Sequence, residues 1–297
     1  IENIDTIYEI RIQPTCDTVH NNYVRSTVIN KYWIDCVTRE PDGYHIDSQG
    51  NIHIYTAEGL AWLAKTAEND ADWSKYIQYI EKDVFIENDI DLSRHLWSPI
   101  GYWLGNWEGN GYIISNMHAK RKSGGYDSGF FSEFSGDTIN NIGFINSYVD
   151  GRADKSGTIA ASISSSTIIN SYSINCVIDG PSTFGGGLAG MAGNSHFINC
   201  FVIGNVYAGY GMGGLVGDCN ACVLHNCYSS IQSSKYFNNS EIGILRGLIS
   251  AETRNTSATN CFVDIDYVKD TWSKYSIGKI CTENTTEKVY FFGVLYH

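Results

Sequence analysis

One group of cations stands out in a chain of 297 residues whose formal net charge is −12. Lys120-Arg121-Lys122 is followed, in the next stretch of similar sequence, by Arg152 and Lys155. If those stretches stack as repeats, Lys120, Arg121, Arg152 and Lys155 form a positive strip. Such a strip suits sulfate or uronate groups, to which Arg offers bidentate contacts. It could also serve a lyase, with Arg or Lys neutralising a uronate while a Tyr or Lys acts as base. A solvated loop has the same composition, and both readings stay open. Tyr102, Trp103 and Trp107 lie nearby and offer flat faces to a sugar ring, or packing surface to the first coils.

Other residues with chemical potential carry less. Asp150-Gly151 and Asp179-Gly180 hold matching places in neighbouring repeats, and glycoside hydrolysis needs two carboxylates facing one groove. Asp-Gly is equally turn chemistry. Glu108 and Glu133 are further carboxylates with no geometry attached. The strings of polygalacturonase-like enzymes, Gly-His-Gly and Arg-Ile-Lys, are absent. Gly185-x-Gly187-x-x-Gly190 has dinucleotide-fingerprint spacing, but it is one copy of a repeated turn and lacks the required strand and helix context. No cofactor is expected. Cys219-x2-Cys222 with Cys227 resembles half a zinc site, with no second pair to complete four ligands, and no metal is expected.

The balance of 20 basic to 32 acidic side chains argues against a general nucleic-acid binder, which needs a basic face. Low charge, 20 Tyr and many Asn, Ser and Gly suit a β surface in contact with water or sugars. No apolar run approaches the ~18 residues of a membrane span. Ile1 is not an initiator Met, so an upstream leader is expected, either removed or left out of this sequence. Oligomeric state has no signature here.

These residues must be positioned by a repeat. Asn146-Ser147-Tyr148, Asn170-Ser171-Tyr172, Asn199-Cys200-Phe201, Asn226-Cys227-Tyr228 and Asn260-Cys261-Phe262 share Asn, a small residue and an aromatic ring. A glycine phrase recurs out of phase with them, as in Gly186-Gly187-Leu188-Ala189-Gly190 and Gly213-Gly214-Leu215-Val216-Gly217. Two registers repeating together mean one stacked unit. The unit is too short for a propeller blade of about 40 residues and suits one turn of a parallel β-helix with three short strands. Asn tolerates left-handed bends, so the five Asn residues should stack as a ladder. Tyr148, Tyr172, Phe201, Tyr228 and Phe262 then form a column, read as core stacking with an exposed sugar ladder as the alternative. Cys200, Cys227 and Cys261 occupy a slot that elsewhere holds Ser, as buried free thiols would. Cys16 and Cys36 are the disulfide candidates in an oxidising compartment.

Ahead of the repeat, 7–12 and 27–34 read as strands, and Pro41-Asp42-Gly43 supplies a turn. Thr56 begins a clear helix through Ala67, with Leu60, Leu63, Ala64 and Ala67 on one apolar stripe. That stripe should cover the exposed first coil. The expected divisions are 1–48 as a β segment or cap, 49–98 as capping helix and first strands, and 99–297 as the repeats.

The Gly-Gly-Leu-Val-Gly phrase followed by Asn-Cys-Tyr resembles the GLUG-motif family of bacterial surface proteins. The upstream strings Thr56-Ala57-Glu58-Gly59-Leu60-Ala61-Trp62-Leu63, Asp89-Ile90-Asp91-Leu92-Ser93, Trp97-Ser98-Pro99-Ile100-Gly101 and Trp107-Glu108-Gly109-Asn110-Gly111 follow that family's order. The resemblance covers about residues 50–265. It implies an all-β fold, a right-handed parallel β-helix, in a secreted or cell-surface bacterial protein of the Bacteroidetes type. The family has no common activity, so a glycan or host-surface ligand bound in adhesin-like fashion, without catalysis, is an expectation by analogy. A polysaccharide lyase or glycoside hydrolase working along the side of the helix is the alternative.

Overall fold

The computed structural model describes residues 31–68, 73–122, 127–152, 154–179, 183–207, 211–232, 245–247, 250–264, 277–281 and 286–292. Within them the chain winds as a parallel β-helix. Ile100, Phe131, Ala160, Ala189, Val216, Ser250 and Ile277 are successive partners in a seven-stranded parallel sheet, so one coil takes 27–34 residues. A coil is built from up to five short strands rather than three, two of them fusing into one in some coils. In the coil that begins at Phe131 they are Phe131–Phe134, Thr138–Asn140, Gly143–Ile145, Tyr148–Asp150 and Lys155–Gly157. The fifth type forms a five-stranded sheet, and the middle three join in one 18-stranded sheet. They join because Tyr172–Asp179 and Ser257–Asp264 run through a corner without a break.

The recurring phrase is a corner. Asn141, Asn170, Asn199, Asn226 and Asn260 share one column and a left-handed backbone with φ of 51–55°. Asn116, Asn146 and Asn175 form a second column, and Ser165, Asn194, Ala221 and Asn255 a third. Asn is one of the few residues besides Gly that visits this region routinely. In the first and third columns the Ser or Cys after the bend turns its donor back onto the carbonyl two positions before it. Ser171 Oγ donates to the Ile169 carbonyl at 2.8 Å, and Ser195 Oγ to that of Gly193 at 2.7 Å. Cys200, Cys227 and Cys261 do the same through Sγ at 3.3–3.4 Å. Ser and Cys alternate because the slot wants a small side chain with a proton to give.

The Asn amides bridge from coil to coil. Asn226 donates to Asn199, Asn199 to Asn170, and Asn170 to Asn140, all at 3.0–3.2 Å, and Asn140 donates to Glu108 at 2.7 Å. A second ladder runs from Asn175 through Asn146 and Asn116 to Asp91. Both ladders end on a carboxylate at the N-terminal side. Asn146 therefore does not stack with Asn170 as expected. The two belong to different corners, which is why their interval is shorter than a coil.

The aromatic column also needs correction. Tyr172, Phe201 and Tyr228 follow in register from Gly143, whereas Tyr148 stands between His118 and Val177 in another column. These rings are half-buried and point outward, and the core positions beside them are Ser173, Val202 and Ser229. Tyr172 and Phe201 lie face to face at 4.8 Å and 5°. The Tyr172 ring covers Gly143, where a Cβ would come within 2.5 Å of it.

The true core starts aromatic and becomes small. Trp97, Trp103, Trp107, Phe130, Phe131, Phe134 and Phe144 fill the first coils, and Ala160, Ala189, Ala192 and Cys219 take inward positions further on. Cys176, Cys200, Cys219, Cys222, Cys227 and Cys261 are buried thiols outside any disulfide. Cys36 is free and half-buried, and Cys16 lies outside the described residues. Cys227 sits in the first corner column and Cys222 in the third, so they do not converge. Among the described residues no group of three His, Cys, Asp or Glu could hold a metal ion.

The N-terminal end is closed by helices α1 (Trp33–Cys36), α2 (Ala57–Glu68) and α3 (Trp73–Ile80). The strand expected over 27–34 ends in α1, its residues 27–30 and the run 7–12 lying outside the described set. Thr56 Oγ1 caps α2 by accepting the Gly59 N–H at 3.1 Å. Its buried Leu60, Leu63, Ala64 and Ala67 face the strand Ile100–Trp103, the edge of the seven-stranded sheet. The unexpected α3 ends by offering the Ile80 carbonyl to the N–H groups of Leu104 and Gly105. An antiparallel hairpin, Tyr44–Ile46 with Ile52–Ile54, crosses the 48/49 division and continues in parallel with Val84–Ile86.

Between Thr138 and Ser257 coil length varies at one place. From Thr138 to Ser257 every corner connection is two residues long. The connections from Ala119 to Asp127, Asp150 to Lys155, Asp179 to Phe184, Tyr207 to Gly211 and Gln232 to Leu245 hold seven, four, four, three and twelve residues.

Candidate functional site

The cations expected to form a strip do gather at that variable edge. Asp150 is their focus, with a side chain 11% exposed. Arg152 Nε and Nη2 donate to its two carboxylate oxygens at 3.0 and 2.7 Å, and Lys120 Nζ stands 4.0 Å away. Lys155 Nζ lies 4.0 Å from Asp127. Arg121 Nη1 donates to Ser132 Oγ at 2.9 Å, and Lys122 pairs with Asp35 of α1. The cations are thus already answered by carboxylates or hydroxyls. The site is a mixed polar cluster, not a bare positive strip.

Asp179, which the matching Asp-Gly pairs place beside Asp150, completes it together with His118, Tyr148 and Tyr32, which were not anticipated in this setting. Strands His118–Ala119, Tyr148–Asp150 and Tyr172–Asp179 lie side by side, which stacks His118 with Tyr148 and Asp150 with Asp179 on the outer face. The His118 and Tyr148 rings meet edge to face at 4.8 Å. Tyr148 donates its hydroxyl proton to Asp179 Oδ2 at 2.7 Å. Tyr32, next to α1, gives its hydroxyl proton to the Arg121 carbonyl at 3.2 Å and so closes the N-terminal side. Period-29 to period-30 spacing of His118, Tyr148 and Val177 was the signal for this column, hidden once Tyr148 was aligned with Tyr172.

The environment sets the protonation states. Burial alone would raise the Asp150 pKa, but the hydrogen bonds and charge of Arg152 reverse this and hold it below the usual carboxylate value. Burial pushes His118 below its ordinary value, with Lys120 adding to that and Asp150 opposing it, so the imidazole is neutral at pH 7. Burial also raises Asp127 against the pull of Lys155 and Arg121. The cluster presents ionised acceptors, charged donors, a phenol and a neutral imidazole. That set is able to offer charge-assisted hydrogen bonds to hydroxyl groups.

Trp103 and Trp107 are not part of it. Both indoles are fully buried and pack edge to face at 5.7 Å, and Trp103 Nε1 donates to the Lys82 carbonyl. Neither offers a face to a sugar, because alternation along these short strands turns them inward. Tyr102 points outward and is half-buried, in register with the exposed Glu133. Glu108 ends an amide ladder.

No family model matches the chain, and no curated protein matches it. Among solved structures, a putative immunoglobulin A1 protease from Bacteroides ovatus shares the fold. The TM-score is 0.52, over 83% of this chain and 85% of that one. Sequence identity is 16%, so the likeness is one of architecture. It agrees with the β-helix found here and leaves the GLUG-type resemblance without a matching family. Among the described residues no helix is long and apolar enough to cross a membrane.

Proposed function

We propose that this is a secreted or cell-surface bacterial β-helix protein that binds a glycan, on a host surface or free, without cleaving it. The observation that supports this is the convergence of His118, Lys120, Tyr148, Asp150, Arg152 and Asp179 from three consecutive coils onto one outer patch. The Bacteroides ovatus protein of like architecture supports a bacterial setting. A lyase would need a base beside an uncommitted cation. Here the phenol already donates to Asp179 and Arg152 is committed to Asp150, an arrangement suited to holding a ligand rather than to elimination. A glycan array followed by mass spectrometry of the bound oligosaccharide tests the reading. Retention with intact ligand is expected. Shortened or unsaturated products would replace binding with catalysis.

A further inference from the structure

We propose that the glycan accepted by this patch is uncharged, and that Asp179 with Tyr148, rather than the cations, makes the decisive contacts. The inference rests on the glycan-binding reading above and names its ligand class.

A polyanion requires cations that hold nothing else. Arg152 grips Asp150 through two hydrogen bonds, Lys120 and Lys155 stand beside Asp150 and Asp127, and Lys122 is paired with Asp35. A sulfate or uronate reaching Arg152 has to displace Asp150 and then remain next to it. It also meets Asp179, which follows Asp150 in the same outward column at one strand spacing, about 4.8 Å. Like charges that close repel, and a mostly buried Asp150 cannot swing away into solvent.

A sugar hydroxyl has different needs. It gives one proton and accepts through two lone pairs. Asp150 and Asp179 retain lone pairs beyond those that Arg152 and Tyr148 occupy, since an ionised carboxylate has about four acceptor sites. Arg152, 70% exposed, has N–H groups beyond the two given to Asp150. A neutral ligand therefore adds to the existing network without breaking it. Hydrogen bonds to ionised groups are roughly twice as strong as neutral ones, which lets a small patch discriminate.

Among the described residues, the aromatic pairs considered above do not serve a sugar. Tyr172 and Phe201 spend their ring faces on each other, leaving edges outward. Trp103 and Trp107 are enclosed. Recognition by polar contacts at the cluster makes ligand choice depend on hydroxyl placement.

The test uses the full chain against neutral, uronate-bearing and sulfated oligosaccharides on one array. The strongest probe is then measured by calorimetry at about 0.1 M and about 1 M salt, where screening lengths are about 10 and 3 Å. Neutral probes should bind with an affinity that salt barely changes. Tyr148→Phe, which keeps the ring, and Asp179→Asn should each weaken them about tenfold or more. Melting curves identify any variant that has lost the fold, and Tyr148→Phe is the milder of the two. Binding of a sulfated or uronate probe that falls steeply with salt, fails in Arg152→Gln and strengthens in Asp150→Asn overturns the uncharged ligand and leaves glycan binding standing. Neutral binding unaffected by both Tyr148→Phe and Asp179→Asn overturns the assignment of contacts. No binding by any class overturns both proposals.

Discussion

Ala221 occupies a corner that other coils give to Asn or Ser, at φ 54°. A left-handed backbone costs an ordinary L-residue about 1–2 kcal/mol. Ala221→Gly should therefore stabilise the protein by about 1 kcal/mol, read as a higher denaturant midpoint, and an unchanged midpoint would mean the corner carries no strain. His53 is a second residue with a measurable signature. Its ring nitrogens lie 2.7 Å from Glu87 and 3.3 Å from Asp47, and it stacks on Phe85. Burial alone would lower its pKa, but those two carboxylates raise it above the ordinary value. Its contribution to stability is then complete below the unfolded value of about 6.5 and is lost as pH rises through the folded one. Melting temperature should fall more between about pH 6 and pH 8 in the native protein than in His53→Gln. Parallel pH profiles would remove His53 from the balance. Residue types alone carried part of this. Asn-Ser and Asn-Cys were legible as bends because one residue tolerates φ > 0 and the next carries a small donor. Which bends share a column was not legible, since Asn146 and Asn170 look alike and only strand register separates them.

Helix α2 shows what an element contributes beyond its residues. Leu63 is fully buried between the helix and the edge of the seven-stranded sheet, so Leu63→Ala should cost about 2–5 kcal/mol. A loss under about 0.5 kcal/mol, typical of surface sites, would mean the helix does not cap. The stripe and Thr56 made α2 readable in advance. Its neighbour α3 escaped because Trp73-Ser74-Lys75-Tyr76-Ile77 mixes aromatic and β-branched residues over only two turns. The candidate patch was half visible for a related reason. Lys120, Arg152 and Lys155 declare themselves by charge and Asp150 with Asp179 by their matching Asp-Gly places, whereas His118 and Tyr148 matter only because three strands lie in one register. Trp103 and Trp107 show the reverse error, since strands of four and two residues give too short an alternation to tell inside from outside.

At the scale of the whole molecule, the two-residue corners and the variable edge divide the coil into parts with opposite tolerance. One residue inserted after Asn199 flips the following strand, turning Val202 outward and Phe201 inward, and should unfold the coil or lower its melting temperature sharply. Four Gly-Ser residues inserted between Asp179 and Phe184 should be nearly silent, because lengthening a surface connection adds only about 0.6 kcal/mol per doubling. Equal damage from both insertions would contradict the division, and the melting temperatures of the two variants decide it. The tolerant edge is also the one that carries Lys120, Asp150, Arg152 and Asp179. Lineages of this protein can therefore rewrite what the patch touches by changing connection length there, while the interior stays the same. A relative with identical corners and a different edge would be the same scaffold with another polar patch.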